Sequence, residues 1–182
     1  MSAYTEHVKR WTKCAQCHLC EHRKNVVFCR GKIPAQVLFV GEAPGDSEDV
    51  LGKPFMGPAG KALNGIIRQS FDDEDNINYC ITNVVSCMPM PRGAPSKECV
   101  SACRPKLIEV VQMCNPKLIV GLGEVAKDSI STAEIFRKST TIISVVHPAA
   151  LFRMNVTQRN FAIYQSVNTI RSAVERSILT DL

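Results

Sequence analysis

The apolar residues of this chain gather in four short, nearly continuous runs, each closed by glycine or a polar turn. They are Gln36-Val-Leu-Phe-Val40, Tyr79-Cys-Ile-Thr-Asn83 continuing to Val85, Lys117-Leu-Ile-Val-Gly121, and Ile142-Ile-Ser-Val-Val146. Runs without in–out alternation are typical of strands buried on both faces. The stretches between them carry helical spacing instead. A short helix is predicted from Tyr4 to Trp11, a second from about Ala59 to Ser70, and a third from roughly Ser96 to Cys114. In the third, Val100, Cys103, Leu107, Val111 and Cys114 mark one face. A fourth covers about Val125 to Phe136, and Ile163, Val167, Ile170, Val174 and Ile178 mark a closing amphipathic helix. Strands alternating with helices predict an α/β fold, a three-layer α/β/α sandwich around a central, mainly parallel four-stranded sheet. Pro105 falls inside the third helix pattern. An interior proline costs about 3 kcal/mol, so a break just after Cys103 is expected, with Pro105 opening the next turn.

At 182 residues, 45% hydrophobic and 21% charged, the chain is expected to form one globular domain. No apolar run approaches the ~18 residues of a membrane span. The first residues lack the apolar core of a signal peptide, so an intracellular protein is expected. In that setting nine cysteines read as metal ligands or buried thiols rather than disulfides. The formal net charge of +5 favours a polyanionic partner only weakly.

In open α/β sheets ligands bind beyond the carboxyl ends of the strands. There this sequence places Gly41-Glu42, Thr82-Asn83, Gly121-Leu122-Gly123 and His147-Pro148. A carboxylate, an amide, a glycine turn and an imidazole thus converge on one crevice. Taken singly, each is a common cap or turn residue; their coincidence across four strands marks a site. The loop from Gly41 to Asp49 is no P-loop, because no Gly-Lys-Ser/Thr follows, and it lacks the dinucleotide G-x-G-x-x-G spacing. Pro44-Gly45 instead predicts a tight turn, and Phe55 offers an aromatic face between turn residues.

Cys14-Ala-Gln-Cys17 is a chelating turn, and Cys87 with Cys103 forms a second, widely spaced pair. A zinc ribbon would show C-x-x-C twice. A ferredoxin-type run would need cysteine near position 24, where Lys24 stands. Cys20 and Cys99 are substitute ligands. Spacing favours an iron–sulfur cluster and leaves zinc, or no metal, open. Cys29, Cys80 and Cys114 read as buried small hydrophobes.

Together these motifs resemble the family-4, iron–sulfur uracil-DNA glycosylases. The matching elements are Cys14-x-x-Cys17, Val26-Val-Phe28, Val40-Gly-Glu-Ala-Pro-Gly45 with Glu48-Asp49, and Gly52-Lys-Pro-Phe55-Met-Gly-Pro-Ala-Gly60. Thr82-Asn-Val-Val85, Cys87, Cys103-Arg-Pro105, Pro116 to Gly123 and His147-Pro-Ala-Ala-Leu151-Phe-Arg153 complete them. The resemblance implies a [4Fe–4S] cluster of structural role on Cys14, Cys17, Cys87 and Cys103. It implies hydrolysis of the N-glycosidic bond of deoxyuridine in DNA, the first step of base excision repair. Phe55 would stack on the flipped base beside Gly41, and Asn83 would read its edge. His147 would donate to it as charge develops. Glu42, or Glu48 beside it, would act on water and the sugar. Leu151, Phe152 and Arg153 would enter the duplex. The expected partner is uracil-containing DNA, bound by a monomer.

The chain also departs from the family pattern. Ser86-Cys87-Met-Pro-Met-Pro-Arg92-Gly-Ala-Pro95 lacks the usual Lys before the third cysteine and the Arg-Pro-Pro and Asn-Arg after it. Phe136-Arg-Lys-Ser-Thr140 passes almost directly into the fourth strand, so a usual hairpin is trimmed. The basic insert of a branch that cross-links to its product is absent between Cys87 and Cys103, so covalent capture is not expected. The competing reading is a member that binds uracil-containing or modified DNA without cleaving it; a third is an electron carrier sharing the fold.

Overall fold

The protein is described here by a computed structural model covering residues 2–71, 77–131 and 139–179. Its centre is a five-stranded sheet: β1 Arg30–Gly31, β2 Val37–Gly41, β3 Tyr79–Asn83, β4 Leu118–Leu122 and β5 Thr141–Val145, in the order β1-β3-β2-β4-β5. β2 to β5 run parallel, while β1 pairs antiparallel with β3 at the edge. The expected four-stranded sheet is therefore correct for its parallel part and one strand short. β1 has two residues, one of them glycine, too few to leave a periodic signal.

β2 and β4 are wholly buried, and their side chains divide between two layers. Leu38, Val40, Cys80 and Ile119 face α1 (Ala3–Trp11), α4 (Lys97–Cys114) and α5 (Glu124–Ser131). Val37, Phe39, Ile81, Leu118 and Val120 face α3 (Pro58–Ser70) and α6 (Val156–Ser177). A short helix, α2 (Asp46–Leu51), follows the glycine loop after β2.

The expected break after Cys103 does not occur, because α4 runs through Pro105. The proline ring opposes the Ser101 carbonyl and forfeits one helical hydrogen bond, a cost of about 3 kcal/mol. Leu107, Val110 and Val111 are buried against the sheet just beyond it. Each contributes roughly 1.5–3 kcal/mol, which together outweigh the proline. The extension of α5 toward Phe136, and most of the shortened Phe136–Thr140 connection, lie outside the described residues.

Candidate active site

Because β2 to β5 are parallel, their carboxyl ends meet on one side of the sheet. Gly41 and Asn83 are direct neighbours across the β2–β3 ladder. The chain beyond them stays paired, Val84 N–H donating to Gly41 O at 2.9 Å and Val85 N–H to Glu42 O at 3.0 Å. Gly123, at the end of β4, has φ +85°, and a Cβ there would stand 2.9 Å from His147 Cβ. The turn after β4 therefore needs glycine both for its conformation and for the imidazole beside it.

Beyond the ends of β2, β3 and β5 lies a cavity of about 200 Å³ lined by Glu42, Gly45, Glu48, Phe55, Asn83 and His147, with Pro89 and Gly93 of the Met88–Pro95 loop at its wall. Phe55 is buried, with its ring centroid 5.9 Å from that of His147. Its backbone is left-handed at φ 56°, an uncommon state for a bulky residue. Gly60 at the start of α3 allows it, since a Cβ there would collide with the Phe55 carbonyl. Strain held in this way is a feature of ligand-clamping segments.

Asn83 is 4% exposed, and its Oδ1 has no hydrogen-bond partner. A buried amide oxygen in that state costs about 1–3 kcal/mol unless something in the cavity donates to it. His147 Nδ1 accepts the Ala149 N–H at 3.1 Å. A neutral ring therefore carries its proton on Nε2. Burial, aided by the charge of Arg153, pushes the His147 pKa down, which favours that neutral ring. Burial alone pushes the Glu42 carboxyl up.

The two carboxylates left open by the sequence differ in their surroundings. Glu48 is engaged on both oxygens: Oε2 accepts Gly45 N–H at 3.1 Å, and Oε1 accepts Met56 and Gly57 N–H at 2.7 and 2.8 Å. Glu42 makes no such bond among the described residues. Asp49, the neighbour of Glu48, is 2% exposed and accepts the backbone N–H groups of Lys24 and Asn25. Leu151 is packed in the core, leaving Phe152 at 56% exposure as the apolar side chain that reaches solvent, with Arg153 exposed next to it. Of the two expected wedge residues, Phe152 alone presents its side chain to solvent, because the 3-10 turn Pro148–Arg153 directs successive residues apart. Arg92 pairs with Asp46 at 2.7 Å and ties the Met88–Pro95 loop to the start of α2.

The four expected metal ligands lie in one electrostatic neighbourhood. Cys103 senses Cys14, while Cys87 senses Cys103 and Cys17. Burial pushes the Cys87 thiol up to about 11 and raises Cys17 and Cys103 as well. Cys99 is buried beside Cys17, and its sulfur is 3.9 Å from either ring nitrogen of His18. Among the described residues, no three His, Cys, Asp or Glu side chains close into a group able to hold a single metal ion. Two cations that the sequence did not single out stand at this cluster. Arg23 Nη1 is 3.6 Å from Cys87 Sγ, and Lys106 Nζ is 3.2 Å from Cys14 Sγ. Neither position carries a sequence signal, since lysine and arginine are ordinarily solvent-facing.

The uracil DNA glycosylase superfamily model matches residues 28–169. A type-4 uracil-DNA glycosylase of Thermotoga maritima is 29% identical over 97% of this chain and 95% of its own. One from Archaeoglobus fulgidus is 30% identical over 83% of this chain and 84% of its own. One from Saccharolobus solfataricus is 38% identical over 69% of this chain, which spans only 56% of that relative. The crystal structure of SMUG2 from Pedobacter heparinus has the same fold, with a TM-score of 0.56 over 76% of this chain and 75% of that one at 12% identity. The chain belongs to the uracil DNA glycosylase superfamily, and within it to the type-4 uracil-DNA glycosylases.

Proposed function

We propose that this protein is a DNA glycosylase that removes uracil from DNA by hydrolysing its N-glycosidic bond. The observation that carries the reading is that Asn83, whose buried Oδ1 has no hydrogen-bond partner, lines a small cavity shared with an aromatic ring, an imidazole and a carboxylate. Uracil presents an N–H between two carbonyls. Asn83 Oδ1 accepts the N3–H, and the amide N–H₂ of the same side chain donates to O4. Cytosine inverts this pattern and leaves both groups unpaired, which is a strong basis for rejection. Phe55 stacks on the face of the extruded base.

As the bond to the sugar breaks, its electron pair moves onto the base. His147, neutral and protonated on Nε2, donates to O2 and stabilises that charge without a proton having to be taken up first. Positive charge develops on the sugar. Glu42 has no competing hydrogen bond, so it orients water toward C1′, accepts its proton and offsets the sugar charge. Glu48 holds the loop around the pocket instead. Phe152 fills the space the base leaves, and Arg153 binds phosphate.

Cys14, Cys17, Cys87 and Cys103 are proposed to hold a [4Fe–4S] cluster, which supplies a staple between the N-terminal segment, the loop after β3 and α4. Two cations set against the sulfurs suit an anionic group.

Purified protein incubated with a single-uracil oligonucleotide, followed by alkaline cleavage at abasic sites, tests the reading. Scission at uracil, absent for thymine and lost in Asn83→Ala, is the expected result. No scission from iron-loaded protein would overturn it in favour of DNA binding without cleavage.

A further inference from the structure

We infer that Lys106 is a charge-compensating residue of the cysteine cluster, fixed in the fold to balance an anionic metal group there. The inference rests on the [4Fe–4S] reading above. Lys106 is 2% exposed, in the middle of α4. Buried lysines are rare unless paired. Its ammonium lies 4.4 Å from the Trp11 ring centroid and 3.2 Å from Cys14 Sγ. Among the described residues no carboxylate pairs with it. Glu109, one turn further along α4, is already engaged by His7, Arg10 and the Trp11 indole N–H at 2.7, 2.7 and 2.9 Å. The sulfur is thus the anion available to this cation.

Four thiolates around a [4Fe–4S]²⁺ core carry a net charge of two minus. Arg23, which also donates to Cys14 O at 2.6 Å, and Lys106 bring two positive charges to the sulfurs, one on Cys87 and one on Cys14. These two charges would offset that of the cluster, two of whose proposed ligands, Cys87 and Cys103, are buried. Without metal, the surroundings of Lys106 among the described residues are the Cys14 and Cys103 sulfurs and the Trp11 ring, with no carboxylate, so burying its side chain opposes folding.

This gives Lys106→Met opposite effects on the two forms. The methionine keeps the packing on Trp11 and removes the charge. Iron release from the loaded variant to a chelator in excess should be faster by about ten- to hundredfold, the range typical for partners of metal ligands. The metal-free variant should unfold at a higher urea concentration than metal-free parent. Arg23→Gln, at a partly exposed position, should speed iron release while leaving the metal-free midpoint unchanged. Iron and sulfide content of the parent protein is measured first: if both are absent, the cluster reading fails. If the cluster is present, unchanged release in both variants, or a metal-free Lys106→Met chain less stable than the parent, overturns the role of Lys106.

Discussion

Gly41 and Asn83 face each other across β2 and β3, so close that a Cβ on Gly41 would lie 2.5 Å from Asn83 Oδ1 and 2.5 Å from Phe55 Cζ. The amide proposed to read the base and the ring proposed to stack on it are both positioned by the absence of one methyl group. Gly41→Ala should therefore fold, with an overpacking cost of about 1–3 kcal/mol. Displacing Asn83 and Phe55 should lower uracil excision by about a hundredfold. Single-turnover rates alongside urea denaturation separate the two effects, and a fully active variant would show that this contact is not needed.

His147→Ala should lower kcat by about 10²–10³ with little change in KM, because the donor acts on charge that develops only as the bond breaks. A rise confined to KM would assign His147 to ground-state binding.

The pH profile follows from two shifted groups. Burial raises the folded-state pKa of Glu42, so the carboxylate proposed to act on water protonates at higher pH than the ordinary ~4.3, and excision should fall on an acid limb above that value. His147 is shifted the other way and stays neutral below the usual ~6.5, so it should not add a limb there. The stability sign for Glu42 is opposite to that of an ion-paired carboxylate. Its folded form holds the proton more tightly than the unfolded chain, so ionisation at neutral pH works against the fold. Glu42→Gln should lose activity yet unfold at a higher temperature at pH 7, with the gain vanishing as pH falls through the folded-state value. Calorimetry at pH 7 and pH 4 checks this.

Glu48 accepts three backbone N–H groups, so Glu48→Ala should destabilise the protein by about 1–3 kcal/mol for each donor left dry. Glu48→Gln should recover part of that stability and most of the activity, whereas a catalytic Glu48 would leave both variants equally inactive.

Much of this was legible in the chain. β2, β3 and β4, buried on both faces over most of their length, announce themselves as apolar runs, and the strands' shared direction brings Glu42, Asn83 and His147 together; β5 carries a similar run yet alternates half-buried and exposed positions at the sheet edge, so its expected burial on both faces does not hold. The missing parts lacked a periodic signal. β1 has two residues, and α2, with six, begins inside the stretch from Gly41 to Asp49 that reads as a loop. Pro105 marked a helix break that burial of Leu107, Val110 and Val111 overrides. The division of labour between Glu42 and Glu48 depends on where the amides of Met56 and Gly57 point, which no spacing encodes. Lys106 was invisible for a different reason: a lysine in an amphipathic helix is taken to face water.

The adjacency of Glu48 and Asp49 makes α2 a rivet between two parts of the molecule that are distant in sequence. One carboxylate fastens the Phe55 segment, and the next fastens the strand of chain that leaves the Cys14–Cys17 turn. Slack at the cysteines would therefore be passed, through a single helical step, to the wall of the cavity in which the base is proposed to lie.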